Sequence, residues 1–259
     1  MLVQSDANKF IRPFVYRDLI RVGNQADGGY VIPESVIGDA NFLVSFGIGY
    51  NHTFEYDIQN RVPHIRIVGF DHTVGSLYFF SKSRNGVLKL FLNRGNFTDL
   101  KKRSLRFFNF FKFWTINSKN KHHKTRITPN NISKILNTFK HDNIILKIDI
   151  EGAEWDSLPI VAKNLGNVNC LITEFHDISS NISKFKKLLL DLQENFNIGH
   201  SHINNFSNLN YDILPDFIEM TFVNKKYSHT NKKVTKLPNL TLDFKTMPNK
   251  ADFEVIFLD

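Results

Sequence analysis

Residues Ile144 to Leu158 read IILKIDIEGAEWDSL: an apolar run, two carboxylates two residues apart, a glycine and then a helical pattern. Strand side chains alternate with a period of two, so Asp149 and Glu151 are expected on one face, near where the strand gives way to Gly152 and a helix. Carboxylates are costly to bury alone. A strand that delivers two of them to its C-terminal edge serves a cation, a donor-rich ligand or a proton transfer. The competing reading is that both acids only cap the helix that follows.

Outward from this strand, strands and helices alternate, which argues for an α/β fold with a mostly parallel sheet. Phe42 to Gly49 reads as a buried strand closing on glycines, and His52 to Arg61 as a helix. Arg66 to Asp71 is a second strand ending in an acid, and Thr128 to Lys140 a capped helix leading into the Asp149 strand. A helix over Ala153 to Leu165, a strand over Cys170 to Phe175 and an amphipathic helix over Ile182 to Phe196 follow. Ile198 to Ile203 and Phe217 to Val223 complete the sheet, the latter antiparallel, and Phe253 to Leu258 can add a strand. A chain of 259 residues with 42% hydrophobic content can bury a full core, and a single domain over 1–259 is expected. Residues 1–38 then form an N-terminal lid or extension, and 75–126 an insertion on the acceptor side.

Cys170 is the single cysteine and sits in an apolar run, which excludes a disulfide framework and points to a reducing compartment. The start, MLVQSDANKF, has neither a basic nor an apolar leader region, and no apolar run approaches the ~18 residues of a spanning helix. A cytoplasmic protein without a membrane span is therefore expected. The net charge of +8 and pI near 9.4 call for an anionic partner. Much of that charge lies in Lys101 to Arg126, KKRSLRFFNFFKFWTINSKNKHHKTR, where it is interleaved with aromatic residues. This segment reads as an amphipathic cap, as the wall of a pocket for a phosphorylated substrate or, least favoured, as a nucleic-acid surface.

Ligands of open α/β sheets sit beyond the carboxyl ends of the strands, so Gly47-Ile48-Gly49 is expected to floor a cofactor pocket. Asp71 follows Gly49 at about the ~20-residue spacing of an acid that binds ribose hydroxyls, with a capping role as the alternative. His52 stands where a dinucleotide loop has its third glycine. That disfavours a pyrophosphate cofactor and leaves a nucleoside-type one such as S-adenosylmethionine.

LKIDIEGAEWDSL, followed by a strand ending Glu174-Phe175-His176, resembles the FkbM-type S-adenosylmethionine-dependent methyltransferases. DGGYV at Asp27 to Val31, SFGIG at Ser45 to Gly49 followed by Phe54-Glu55, and His200-x-His202-x-Asn204-Asn205 resemble a branch of that kind with D-G-G-Y and H-x-H-x-N-N signatures. Two stretches depart from the family pattern: Ser45 to Asn51 replaces an acidic D-x-G-A-N-x-G, and Phe70-Asp71-His72 replaces F-E-P.

The resemblance implies a Rossmann-like class I methyltransferase fold, with a mostly parallel seven-stranded sheet carrying one antiparallel strand. It implies methyl transfer to a sugar hydroxyl, the acceptor being a small-molecule sugar or nucleotide sugar of polysaccharide biosynthesis. Cofactor contacts are then expected from Asp27, Tyr30, Ser45, Gly47, Gly49, Glu55, Asp71, His72 and Asp149. Asp149, Glu174, His176 and His202 would hold Mg, Mn or Fe(II). Glu151 would be the general base, with Asp149 and His176 beside it, and His200, Asn204 and Asn205 would contact substrate. Glu154 is expected on a helix surface and Trp155 in the core, while Asp27 to Tyr30 is a turn or part of a lid. The alternatives are RNA methylation and a non-catalytic nucleotide- or sugar-binding module. Homodimers are common among such domains.

Overall fold

The computed structural model describes residues 2–3, 6–26, 28–91, 96–207, 214–228 and 230–257. A short strand β1 (Leu2–Val3) and the antiparallel hairpin β2 (Leu19–Gly23) and β3 (Gly29–Pro33) come first, followed by helix α1 (Glu34–Gly38). Then come β4 (Phe42–Phe46), α2 (Thr53–Arg61), β5 (Arg66–Phe70), the insertion helices α3 (Ser76–Phe91) and α4 (Phe97–Phe111), and β6 (Asn120–His123). The second half runs α5 (Pro129–Asn137), β7 (Ile144–Ile148), α6 (Glu154–Ala162), β8 (Val168–Phe175), α7 (Ile182–Gln193), β9 (Phe196–Ile203) and β10 (Ile218–Asn224). Two short strands, β11 (Lys236–Leu237) and β12 (Glu254–Ile256), join β1 in a small separate sheet.

The main sheet has seven strands in the order β6-β5-β4-β7-β8-β10-β9. All pairings are parallel except those of β10, which runs antiparallel to both β8 and β9. The chain builds outward from β4 to β6, then returns to the other side of β4 with β7. The strand order therefore reverses between β4 and β7, where an open α/β sheet forms its ligand crevice.

Both faces of the sheet are covered, so its strands are continuous apolar runs rather than alternating ones. Val44, Phe46, Leu146 and Ile148 pack toward one core with Ile132 and Leu136 of α5, Leu158 of α6 and Phe185 of α7. The intervening Leu43 and Ile145 pack on the other face with Val36, Phe54, Ile58 and Ile32. α5 starts with Pro129 at its first position and with the Asn131 side chain accepting the Thr128 N–H at 3.0 Å. Thr221 Oγ1 donates to the Val31 carbonyl at 2.6 Å and so ties the β2–β3 hairpin across β10.

The insertion is a helical hairpin in which Phe80 meets Phe107 at 5.7 Å and the Ser83 and Ser104 hydroxyls lie 2.9 Å apart. α4 runs on into a π-helical turn, Lys112–Ile116, whose Phe113 and Trp114 are buried together with Phe110. Gly69 has no side chain because a Cβ there would strike Ile48 and Trp114. Lys101, Lys102 and Arg106 are exposed while Phe110, Phe113 and Trp114 are buried, so the basic aromatic segment is amphipathic, with Phe108 left exposed on its outer face. No helix among the described residues is long and apolar enough to cross a membrane.

Candidate functional site

Gly47, at φ +79°, follows β4 in the left-handed region, and a Cβ there would fall on the Asp149 carbonyl oxygen. Only glycine fits this double constraint. The Gly47 N–H donates to the Phe70 carbonyl at 3.0 Å and the Asp149 N–H to the Phe46 carbonyl at 2.9 Å, so the glycine loop and the end of β7 are fixed to each other. Asp71, just past β5, completes the loop. One carboxylate oxygen accepts the N–H groups of Ile48 at 2.9 Å and Gly49 at 2.8 Å. The other accepts the Thr73 N–H at 2.7 Å and the Thr73 hydroxyl at 2.6 Å. Burial pushes the Asp71 carboxyl up, but these donors prevail and hold it below its ordinary value. A carboxylate has about four lone-pair sites, so Asp71 is occupied as the clasp of the glycine loop. A ribose contact there would have to displace one of these donors.

Across the crevice, Asp149, Glu174 and His176 each offer a ligand atom within 4.8 Å of the others. They come from the ends of β7 and β8, adjacent parallel strands. Tyr30, on β3, donates its hydroxyl to Asp149 at 3.0 Å, and Asn204 donates its amide to Glu174 at 3.1 Å. Burial, together with the charges of Asp149 and Glu219, raises the Glu174 carboxyl to about 8. His176 Nδ1 lies 2.6 Å from Glu154 Oε1. Burial disfavours the imidazolium, but Glu154 and the acids of the cluster outweigh it and raise His176 to about 9. Below the cluster Lys147 Nζ donates to the Gly47 carbonyl at 3.0 Å, pairs with Glu55 at 3.5 Å and lies over the Tyr30 ring. Burial lowers the Lys147 pKa, yet Glu55 and Asp149 turn the shift upward. Among the described residues, Glu151 (φ +45°) and Asp177 (φ +53°) are the non-glycine residues with positive φ, and they lie in the turns that follow β7 and β8. Left-handed backbone at non-glycine residues concentrates at functional sites.

Some sequence expectations change here. β7 ends at Ile148, so Glu151 does not share a strand face with Asp149; it is exposed in the turn before α6. Glu154, expected on the helix surface, is fully buried because His176 at the end of β8 turns back onto the first turn of α6. Trp155 is in the core as expected, with Nε1 donating to the His176 carbonyl at 2.9 Å. Ser45 has no exposure; its register partner on β7 is Lys147, under the cluster. Glu55 is likewise fully buried against Lys147. His72 is exposed beside Asp71, and Asp27 lies outside the described residues.

The H-x-H-x-N-N residues divide. Asn204 reaches Glu174, but His202 lies between Glu219 and Asp252 at 3.5 and 3.6 Å, away from the three clustered ligands. His200 faces Asp243 at 3.0 Å, and Asn205 bonds the backbone of Met247 and Lys250. These three side chains join the C-terminal segment to the sheet. Lys147 and Glu154 are the site residues that the sequence reading missed. A lysine inside an otherwise apolar strand was the available signal for the first.

No protein-family model matches the sequence, and no curated protein matches it. Among solved structures, the chain is similar to one of a fibrillarin/Nop5p complex, with 11% identity, 72% of this chain and 73% of that one covered, and a TM-score of 0.41. Fibrillarin pre-rRNA processing protein from Methanococcus jannaschii aligns at 8% identity over 73% of this chain and 68% of its own, with a TM-score of 0.41. A precorrin-6y C5,15-methyltransferase from Geobacter metallireducens aligns at 10% identity over 73% and 84%, with a TM-score of 0.39. Scores this low carry no functional weight. Counted along the chain from β4, the sheet reads third, second, first, fourth, fifth, seventh, sixth, with the seventh strand reversed: the Rossmann-like, mostly parallel seven-stranded sheet that was expected.

Proposed function

We propose that the protein is an S-adenosylmethionine-dependent O-methyltransferase of the FkbM kind, acting on a sugar hydroxyl of a nucleotide-activated sugar or glycan precursor with the help of a divalent cation. The observation that carries this reading is the cluster of Asp149, Glu174 and His176 facing a glycine loop at the switch point of the sheet. The backbone of Gly47 and Gly49 would floor the cofactor, with His72 and Tyr30 at its sides, and the acids would match its positive charge. S-adenosylmethionine supplies an electrophilic methyl group.

The donor set also suits a hard or borderline cation: two carboxylates and an imidazole whose other nitrogen is fixed by a carboxylate. Burial first, and then the charges of Asp149 and Glu219, raise the Glu174 carboxyl, and a divalent ion would relieve that crowding of acids. Such an ion lowers the pKa of a hydroxyl bound to it. Tyr30 and Asn204 orient Asp149 and Glu174. Glu151, exposed in the turn before α6, would take the hydroxyl proton as the methyl group arrives. Residues 1–38 contribute Tyr30 as one wall, and the 75–126 insertion forms the acceptor side.

Calorimetric titration of S-adenosylmethionine and its demethylated product into EDTA-treated protein, and again with Mn(II), tests the reading. Micromolar binding is expected. Absence of binding under both conditions would overturn it in favour of a non-catalytic sugar- or nucleotide-binding module.

A further inference from the structure

The insertion hairpin and the loop after Gly49 enclose a cleft of about 220 Å3, lined by Tyr50, Tyr78, Lys82, Lys102 and Arg106, with Phe79 at its base. Tyr50 is 59% exposed, accepts the Tyr78 hydroxyl at 2.8 Å and lies 5.6 Å from that ring. Lys82 Nζ sits 5.4 Å from the Tyr78 ring centroid. Asp99, the acid of the cleft, is taken by Arg103 at 2.8 Å. Among the described residues no carboxylate pairs with Lys82, Lys102 or Arg106, so three cations converge on one small space with no anion to balance them.

The cleft is smaller than the ~300–1,000 Å3 of sites that enclose a drug-sized molecule. It therefore takes a compact anionic group and leaves the rest of the ligand outside, where Tyr50 offers an exposed ring. A single strand of nucleic acid needs a groove that tracks many phosphates, whereas here the charge is gathered at one point. Arginine and lysine together suit a group with two adjacent phosphates. Tyr50 directly follows Gly49, which Asp71 holds, so the cleft borders the glycine loop.

We propose that this cleft binds the diphosphate of a nucleotide-activated ligand. Identifying that ligand as the methyl acceptor rests on the reading above; the anion site itself does not.

The test is calorimetry of inorganic pyrophosphate, of UDP, ADP and GDP, of uridine and of oligonucleotides of increasing length, on the wild type and on Lys102→Ala/Arg106→Ala, with S-adenosylmethionine titrated in parallel. Both substituted residues are exposed, and a thermal melt checks folding. Pyrophosphate and at least one nucleoside diphosphate are expected to bind and uridine to fail. The double variant should weaken diphosphate binding about tenfold or more and leave S-adenosylmethionine unaffected. Unchanged diphosphate affinity in the variant, or S-adenosylmethionine binding with no diphosphate binding, would overturn the cleft assignment. So would an affinity that climbs with oligonucleotide length. Diphosphate binding that the variant loses, with no S-adenosylmethionine binding, would uphold the cleft and sink methyl transfer.

Discussion

Glu154 Oε1 lies 2.6 Å from Nδ1 of His176, and the carboxylate has no solvent exposure. The pair joins the first turn of α6 to the end of β8. It fixes the imidazole so that Nε2 is the nitrogen left for a ligand. Glu154→Gln keeps the shape and removes the charge. The His176 pKa, now raised to about 9 against the pull of burial, should fall in the variant as followed by NMR titration. Mn(II) affinity should drop on the order of 10-fold or more. An unchanged His176 titration would show that Glu154 does not set its charge.

Asp149→Asn and Glu151→Gln are each expected to lower turnover on the order of 10²-fold or more while the protein still folds. They should differ in Mn(II) binding: Asp149→Asn loses it, and Glu151→Gln keeps it, since Glu151 stands outside the three-residue cluster. Near-normal turnover in both would reject the proposed chemistry.

Lys147 and Glu55 form a buried pair at 3.5 Å. Lys147→Met leaves Glu55 buried without its cation and should destabilise the fold by about 3–5 kcal/mol, read as a fall in the denaturant midpoint. Adding Glu55→Gln should restore much of that loss. Equal stability of the single and double variants would mean that the pair is not coupled.

His202, nearly without exposure, is pulled down by burial but raised to about 10 by Asp252 and Glu219. Its ordinary value is 6.5, so between these limits the folded state binds a proton that the unfolded state has lost. The stabilisation is complete below pH 6.5 and is lost as pH rises through about 10. The wild-type Tm should fall across this window, and His202→Gln should show a flatter profile. Parallel profiles would remove His202 from the account of alkaline stability.

The buried parallel strands were legible because apolar runs such as IILKI and NCLITEF bounded by turns admit few other placements. β6, with the sequence NKHH, was not: a polar edge strand carries no periodic signal and is held by its backbone bonds to β5. The ionisable residues of the proposed site were visible as Asp149, Glu151, Glu174 and His176. Their arrangement was not, because it depends on where β7 stops and on how His176 turns back onto Glu154. The carboxylates that His200 and His202 meet, Asp243 and Asp252, were not legible, because they lie in a distant segment without a pattern of its own.

The α3–α4 hairpin leaves the sheet after β5 and rejoins it at β6, the neighbouring strand at the edge. Its two attachment points are therefore on neighbouring parallel strands, at the C-terminal end of β5 and the N-terminal end of β6, while β7 and β8 lie on the far side of β4. That makes the hairpin an interchangeable head: a graft between these two anchors would change what is gripped outside the crevice and leave the acids and imidazole where they are.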